Sequence, residues 1–387
     1  MDRLPKWADV TLVPLVSLLL AALCSALVIL AIGQDPLEAL DVMIQGTVMT
    51  ASGWGYTLYY TTSFIFTGLA VTMAFHAGLF NIGGEGQAQL GGLGVALALL
   101  YIPWPHWSLA LLGAACGAAL FGALWAAIPA WLQAKRGSHI VITTIMFNYI
   151  AASLLIFLLV DVLRPAGQMD PATARFGPDA ALPRFHEIPG LQTLFQRYTA
   201  DGAVKLNAAG NIDYQIVPAN VTFFVALLLA LAVWALLWRT RLGYDIRAFG
   251  KSEAAARYAG IGATKIIMIA MILSGGLAGL MAINNVMGEA GRLVQNSASG
   301  AGFIGIAVAL MGRNHPIGVV LAAFLFGFLF QGGAELGLWT KIPIEMRIVV
   351  QGLVILFTGA LDVGVRMLLT RLFSLLRRPK PVAGGAV

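Results

Sequence analysis

Stretches of about 20 mostly apolar residues recur along the chain from residue 11 to residue 368. A helix of about 20 apolar residues is long enough to cross the hydrocarbon core of a bilayer. Only 11% of the residues are charged and 59% are hydrophobic, whereas a soluble domain carries roughly 25% charged residues. So few charges cannot cover a water-exposed surface. The sequence therefore predicts an all-α, polytopic membrane protein.

Ten segments of this kind can be distinguished, and two of them are unusual. The third and eighth are short and rich in glycine, so we expect them to be broken or partly re-entrant. The first follows a basic start with Arg3 and Lys6, but it is long for a signal peptide and lacks a clear A-x-A cleavage site. We therefore expect a retained membrane anchor. The ten predicted segments are 11–32, 57–75, 86–101, 107–132, 138–163, 217–238, 265–285, 299–312, 317–334 and 346–368.

Basic residues concentrate in alternate loops, which indicates the orientation of the chain in the membrane. Loop 239–265 contains six basic residues against Asp245 and Glu253, whereas loop 33–56 contains three acidic residues and no basic one. Cytoplasmic loops are enriched in Lys and Arg, so ten spans place both termini in the cytoplasm. Loop 76–85 departs from this pattern, because it is cytoplasmic by parity but has no Lys or Arg. Topology thus explains the net charge of +6, and no nucleic-acid partner is predicted.

The sequence predicts a single transmembrane domain over residues 1–380, followed by a flexible tail at 381–387. Two long connections leave the membrane, a periplasmic one at 164–216 and a cytoplasmic one at 239–265. The periplasmic connection contains five prolines, and loops of this length are commonly either functional or disordered. We expect it to face an extracytoplasmic partner.

A polar, glycine-rich motif occurs twice, each time after a long apolar segment. Asn81-Ile-Gly-Gly-Glu85-Gly follows the second segment, and Asn285-Val-Met-Gly-Glu289-Ala-Gly follows the seventh. By parity, the first copy lies at a cytoplasmic helix end and the second at a periplasmic one. Segments 2–5 and 7–10 would then form an inverted repeat, which many transporters use to build a site at the midplane. Capping of the next helix by Glu85 and chance similarity are the alternatives.

Polar side chains inside a bilayer are costly and are therefore candidates for a functional path. Tyr56, Tyr60 and Phe64 share one face of the second segment and could stack on a nucleobase, although tyrosines are also common at membrane interfaces. Buried polar residues can instead join helices by hydrogen bonds, so both roles stay open. The candidate pathway residues are Asn81, Glu85, Gln87, Gln89, Phe64, Asn148, Asn285 and Glu289.

The cytoplasmic connection contains a short predicted helix that begins after Ser252. Ser252 is suited to cap the helix, and Glu253 complements the helix dipole and pairs with Arg257 four residues on. Gly260 favours termination. The alanine-rich surface suits docking into a cleft, and an ordinary solvated loop is the alternative. The predicted docking residues are Ser252, Glu253, Ala254, Ala255, Ala256, Arg257, Tyr258 and Gly260.

Three stretches of the sequence carry a family resemblance. No G-x-x-x-x-G-K-[ST] motif is present, so ATP is not held by that route. The stretches are AFHAGLFNIGGEGQAQLGG, LGYDIRAFGKSEAAARYAGI and SGAGFIGIAVALMGRNHPIGVVLAAFLFGFL. Together they resemble bacterial ABC-importer permeases of the branch that includes ribose and branched-chain amino acid permeases. Within this branch the chain is most similar to the nucleoside-uptake subfamily, over nearly its whole length.

The resemblance implies a permease subunit of the bacterial inner membrane that moves nucleosides inward by alternating access. It also implies a second, similar permease subunit in a heterodimer, a cytoplasmic ATPase pair that binds ATP and Mg, and an extracytoplasmic substrate-binding lipoprotein. It identifies the region around Ser252 to Gly260 as the coupling helix. The E-A-A-x-x-x-G motif of other importers is matched imperfectly, since Gly260 comes one residue late. The motif therefore indicates where the coupling helix lies, but it does not identify which residue here corresponds to each residue of those importers.

The sequence also bears on other classes of protein. A ribose or other sugar permease, or a branched-chain amino acid permease, is the nearest alternative. An ion-coupled secondary transporter would need Glu85 or Glu289 to titrate or bind an ion. A membrane enzyme is not supported, because no catalytic nucleophile–base arrangement is evident. The five histidines lack ligand spacing, and Cys24 and Cys116 lie in apolar segments, so we predict no metal site, bound cofactor or disulfide.

Overall fold

The computed structural model of the protein describes residues 5, 12–199, 204–207, 210–343, 345–357 and 362–376. The predicted tail at 381–387 and the basic residues Arg3 and Lys6 lie outside this range. Within it the chain is helical, with isolated β-bridges in its connections. The helices of the described residues are α1 (Val13–Ala31), α2 (Pro36–Ile44), α3 (Ala51–His76), α4 (Gly84–Tyr101), α5 (Trp107–Arg136), α6 (Ile140–Phe157), α7 (Thr222–Arg239), α8 (Arg241–Lys251), α9 (Glu253–Tyr258), α10 (Ala263–Ala282), α11 (Ala301–Met311), α12 (Pro316–Trp339), α13 (Met346–Ile355) and α14 (Asp362–Leu376).

The chain divides into two compact units, and the first combines residues 1–40 with 336–387. Its helix α1 packs against α13 and α14, where Val13, Val365 and Leu369 form a small buried cluster. The opposite side of α1 is apolar too, and such a helix is typical of a membrane span. Its exposed leucines are Leu15, Leu19, Leu23 and Leu27.

The second unit, residues 41–335, is built around α3. Every residue from 61 to 74 is buried, so this helix is enclosed on all sides. Helices α10 and α11 pack directly against α3, and α4 and α5 pack against α10. A helix that is apolar and buried on all faces belongs to the interior of a large core or a membrane bundle.

Small residues bring α5 and α10 close together. The sequence predicts small-xxx-small contacts at 113–117 and 275–279, and the second of these is confirmed. A Cβ added to Gly122 of α5 would collide with the carbonyl oxygen of Gly275 on α10. Such close approach of backbones is how membrane helices associate. In the first pattern Gly117 also meets another helix, because a Cβ there would collide with the carbonyl oxygen of Gly94 on α4, whereas Gly113 accommodates the ring of Trp104.

Seven helices of the described residues are long and apolar enough to cross a membrane: α1, α3, α5, α6, α7, α10 and α12, with α6 and α10 extended by π-helical turns. The predicted multi-pass, all-α architecture is therefore confirmed, while the count of ten spans stays a prediction. Helix α11 has 11 residues and is a shorter apolar helix. Two helices, α13 and α14, occupy the predicted segment 346–368, whose residues 358–361 lie outside the described part.

Two helices lie where the sequence predicts connecting loops. Helix α2 lies within loop 33–56, and α8 lies within loop 239–265. Both contain charged residues, so neither stands out as an apolar segment. Helix α8 buries Gly243, Ile246 and Phe249 on one face. Packing of that face stabilises a helix that hydropathy alone does not reveal.

The connection 164–216 belongs to the second unit and packs against the segment that follows α10. The Thr173 N–H donates a hydrogen bond to the carbonyl oxygen of Leu293 at 3.0 Å. Phe185 and Phe195 belong to a small buried cluster of their own. The connection therefore has a defined structure over its described residues.

Candidate functional site

The short helix α9 forms as the sequence predicts. Ser252 caps it, because its hydroxyl oxygen accepts a hydrogen bond from the Ala255 N–H at 3.3 Å. Arg257 forms an ion pair with Glu253 one turn earlier. The helix ends in a turn at Gly260, whose φ of +82° is a conformation that glycine adopts without steric cost.

Helix α9 is exposed on nearly all sides. Between residues 252 and 260 only Ala256 is buried, and the Tyr258 side chain is 97% exposed. Tyrosine and arginine are the residue types that most often dominate the binding energy of protein interfaces, so Tyr258 and Arg257 are suited to a docking surface. The predicted docking residues that are accessible are Ser252, Glu253, Ala254, Ala255, Arg257, Tyr258 and Gly260.

A buried hydrogen-bond network surrounds Asn81 in the linker between α3 and α4. The Asn81 side-chain amide donates to Gln87 Oε1 at 2.9 Å and to Ser274 Oγ of α10 at 2.8 Å. Its side-chain oxygen accepts from the Gly83 N–H at 2.9 Å. Ser274 in turn donates to the carbonyl oxygen of Ala70 on α3 at 2.6 Å. The pathway candidates Asn81 and Gln87 thus join α3, α4 and α10.

Asn285 belongs to a second network at the end of α10. Ser63 Oγ of α3 donates to Asn285 Oδ1 at 2.8 Å, and Asn285 Nδ2 donates to the carbonyl oxygen of Ser297 at 3.0 Å. The neighbouring Asn284 is fully buried and donates to Ser63 Oγ at 2.9 Å. The two motifs therefore make reciprocal contacts, since Asn81 bonds to a serine of α10 and Asn285 to a serine of α3.

The carboxylate of Glu85 joins the first turns of α4 and α11. Its two oxygens accept hydrogen bonds from the Gly300 and Gly302 N–H groups, each at 2.9 Å. The first N–H groups of a helix have no partner within the helix, so Glu85 satisfies those at the start of α11. A Cβ added to Gly302 would collide with the Glu85 backbone. The sequence left open that Glu85 caps its own helix, α4. The helix that it caps is instead α11.

Two further pathway candidates, Asn148 and Phe64, contact neighbouring parts of the helix bundle. Asn148 of α6 accepts a hydrogen bond from the Gly86 N–H and donates one to the carbonyl oxygen of Ile82, both at 2.9 Å. It therefore fixes the start of α4. Phe64 is 2% exposed and packs against Phe330, with ring centroids 5.7 Å apart.

Gln89 is the candidate whose polar group is left unsatisfied. The residue is 6% exposed, and its side-chain oxygen has no hydrogen-bond partner among the described residues. It lies one turn after Glu85 and one turn before Gly92, on the same face of α4. A Cβ at Gly92 would contact Leu293 and Val286, so this face points to the segment between α10 and α11. An unsatisfied buried acceptor costs about 1–3 kcal/mol, so this oxygen keeps its capacity to accept a hydrogen bond.

Glu289 does not mirror Glu85, although their motifs correspond. Its side chain is exposed, and its backbone carbonyl oxygen accepts a hydrogen bond from Arg184 Nη2 at 3.2 Å. Glu289 lines a cavity of about 540 Å³ that Arg175 and Phe176 of the connection 164–216 also line. This volume is within the range of small-molecule pockets, about 300–1,000 Å³.

The sequence gives little indication of the partners that complete these networks. Ser63 and Ser274 connect the two motifs to the opposite long helices, yet single serines are common at helix contacts in membranes. Gly300 and Gly302 act through their backbone N–H groups, so their side chains carry no signal. Only their glycine-rich context indicates a close approach.

Apolar spans around a hydrogen-bonded polar core, together with an exposed, capped helix between α8 and α10, are the features of a polytopic membrane protein. A family model described as the permease component of branched-chain amino acid transport systems matches residues 54–359. The chain belongs to this family.

Relatives of known function agree with this assignment. The chain is 33% identical to the guanosine ABC transporter permease protein NupP of Bacillus subtilis, over 90% of this chain and 93% of that protein. It is 32% identical to the nucleoside ABC transporter permease protein NupB of Lactococcus lactis, over 89% and 90%. It is also 32% identical to the glucose ABC transporter permease protein TsgB13 of Haloferax volcanii, over 89% and 86%.

The protein is therefore a multi-pass permease subunit of an ABC transporter and not an enzyme. In such systems a separate ATPase subunit hydrolyses ATP, and a substrate-binding protein supplies the solute. This membership excludes the ion-coupled secondary transporter that the sequence left open.

Proposed function

We propose that this permease moves nucleosides inward and that α9 is its coupling helix. The observation that carries the coupling role is the capped helix that exposes Arg257 and Tyr258 and buries only Ala256. ATP and Mg bind to the partner ATPase, whose surface receives α9. Nucleotide-driven movement of α9 then switches the permease between outward-facing and inward-facing states.

Nucleosides are the substrate class that the relatives favour. Two of the similar permeases are named for guanosine and nucleosides. A sugar is the second candidate, because a glucose permease is equally similar. Uptake of labelled guanosine by cells expressing the complete transporter tests the choice. We expect transporter-dependent uptake that unlabelled guanosine reduces and glucose does not. Transporter-dependent uptake of labelled glucose without any of guanosine would support the sugar.

The substrate path that we propose runs along the face of α4 that contains Gln89, beside the segment between α10 and α11. The unsatisfied oxygen of Gln89 offers an acceptor for a hydroxyl or amino group of the solute. Asn81, Glu85, Gln87, Asn148 and Asn285 hold the surrounding helices in place, and Phe64 packs behind them. The cavity beside Glu289 is the proposed periplasmic mouth of the path.

We further propose the ten-span topology with both termini in the cytoplasm and an inverted repeat of segments 2–5 and 7–10. Reciprocal bonds support the repeat: Asn81 bonds to Ser274, and Asn285 bonds to Ser63. The contact between the starts of α4 and α11 also fits helices that enter from opposite sides.

The proposed assembly is a heterodimer of two similar permeases. The chain is 33% identical to NupP but 28% identical to the second guanosine permease of Bacillus subtilis, NupQ. The Lactococcus lactis pair shows the same order, with 32% for NupB and 29% for NupC. These differences support a distinct second subunit. The periplasmic connection 164–216 faces the substrate-binding lipoprotein.

The coupling role is tested by Arg257→Glu in the complete transporter. We expect ATPase association and uptake to fall, because the substitution reverses an exposed charge on α9. The exchange of both charges, Glu253→Arg with Arg257→Glu, restores the pair within the helix. If the ATPase recognises which charge stands at position 253 and which at position 257, the exchanged pair does not restore uptake.

Arg136→Glu is the matched control, since Arg136 is an exposed arginine at the end of α5. It is expected to leave coupling intact. Normal uptake with Arg257→Glu would show that α9 is not the coupling helix.

A further inference from the structure

Helices α8 and α9 are joined through a single residue. The Ser252 N–H donates to the carbonyl oxygen of Ala248 in α8 at 3.2 Å, and its hydroxyl caps α9 through Ala255. Ile246 and Phe249 bury one face of α8. A displacement of α9 is therefore carried into α8.

The end of α8 lies backbone against backbone on the turn that follows α3. A Cβ at Gly250 would collide with the carbonyl oxygen of His76 and lie 2.8 Å from the Gly78 nitrogen. Gly78 has a φ of +70°, and the Leu79 N–H closes the turn on the carbonyl oxygen of Ala74 at 3.0 Å. No side chain lies between the two backbones to absorb a movement.

The same turn is held by α7 and by the turn between α11 and α12. His76 Nε2 lies 2.8 Å from the carbonyl oxygen of Asn314, and its ring centroid is 5.1 Å from that of Trp238. The Trp238 ring also lies 5.0 Å from His315 and 5.9 Å from the guanidinium carbon of Arg247 on α8. Packed side chains of this kind can carry coupling between distant sites.

A linker of five residues, 79–83, separates this turn from α4. Asn81 ties the linker to Gln87 within α4, so the linker and the first turns of α4 are connected. Glu85 continues the connection to Gly300 and Gly302. A shift at Gly78 thus reaches the start of α4 and, through Glu85, the start of α11.

We propose that the contact of Gly250 with the turn His76–Gly78 transmits movement of α9 to the meeting point of α4 and α11. This inference rests on the proposed role of α9 as the coupling helix. Gly250 and Gly78 are positioning residues, since they act through α4.

The test is Gly250→Ala in the complete transporter with its ATPase and binding protein. We expect normal ATPase association and basal hydrolysis, while the solute taken up per ATP hydrolysed falls about tenfold, as typical coupling free energies allow. Gly262→Ala is the matched control on the other side of α9. Gly262 has a φ of −71°, and a Cβ there would come no closer than 3.8 Å to Lys265. Equal uptake per ATP in both variants would overturn the proposal.

A second measurement uses the wild-type complex and does not depend on a folded variant. Trapping the ATPase with bound ATP is expected to change hydrogen exchange at residues 77–83 together with that at 250–258. A response at 250–258 without one at 77–83 overturns the transmission route alone. An unchanged ATPase affinity in Arg257→Glu overturns the coupling role itself, so the two failures are distinguishable.

Discussion

At the scale of single residues, Glu85 shows how an acidic side chain can be kept inside a membrane protein. Its two oxygens each accept one backbone N–H, and both donors belong to the start of α11. The positive end of a helix dipole favours a carboxylate, and hydrogen bonds to charged groups are stronger than those between neutral ones. The cost of burial is thereby offset, and the residue fixes two helices relative to each other.

We predict that Glu85→Gln destabilises the protein by about 1–3 kcal/mol, the cost of leaving one buried donor unsatisfied. The glutamine has the shape of glutamate, but its amide nitrogen would face the N–H of Gly300 or Gly302. Thermal unfolding in detergent measures the loss. Glu38→Gln is the control, because Glu38 is an exposed carboxylate in the first turn of α2. Equal unfolding temperatures for both variants would contradict the role of Glu85.

At the scale of helices, the bundle is held by small residues and by a few hydrogen bonds across helices. Glycines let α5 approach α10, and Ser274 connects α10 to both α3 and the linker before α4. Hydrogen bonds between membrane helices contribute only about 0.6 kcal/mol each on average. Close packing and several bonds must therefore act together.

A double-mutant cycle of Asn81→Ala and Ser274→Ala should give a coupling energy of about 0.6–1.7 kcal/mol. The reason is the direct bond of 2.8 Å between the two side chains. Unfolding free energies of the wild type and the three variants provide the measurement. The control cycle combines Asn81→Ala with Ser25→Ala, because the Ser25 hydroxyl bonds to Ala21 in its own helix. Additive effects in both cycles would refute the proposed link.

At the scale of the whole molecule, coupling of ATP hydrolysis to uptake requires that α9 and the connection 164–216 lie on opposite sides of the membrane. Both contain highly exposed positions, Tyr258 and Met169. The basic residues of loop 239–265 favour the cytoplasm for α9.

This orientation predicts the labelling of single cysteines by an impermeant maleimide. In a background without Cys24 and Cys116, Met169→Cys should react in intact cells. Tyr258→Cys should react only after the membrane is permeabilised. Labelling of Tyr258→Cys in intact cells would place α9 outside and would remove the basis for the coupling proposal.

The bounds of several elements could be predicted from sequence because local interactions set them. Ser252, the pair Glu253–Arg257 and Gly260 interact across three or four residues, and α9 lies where they predict it. Helix α3 begins at Ala51 and not at residue 57, because Thr50 caps it through the Gly53 N–H at 3.1 Å. The small and polar residues of that first turn lower its hydropathy, which hides the helix start from an apolar-segment search.

By itself the sequence determined the membrane environment, the helical class and the position of α9, because composition, hydropathy and short-range capping need no tertiary contacts. The family was indicated by the resemblance of three motifs to known permeases. Only the tertiary structure decided which polar groups meet. Asn81 and Ser274 are separated by 193 residues, and Glu85 and Gly302 by 217. Their pairing depends on how long helices pack in three dimensions, and no local pattern encodes which donor will face which acceptor.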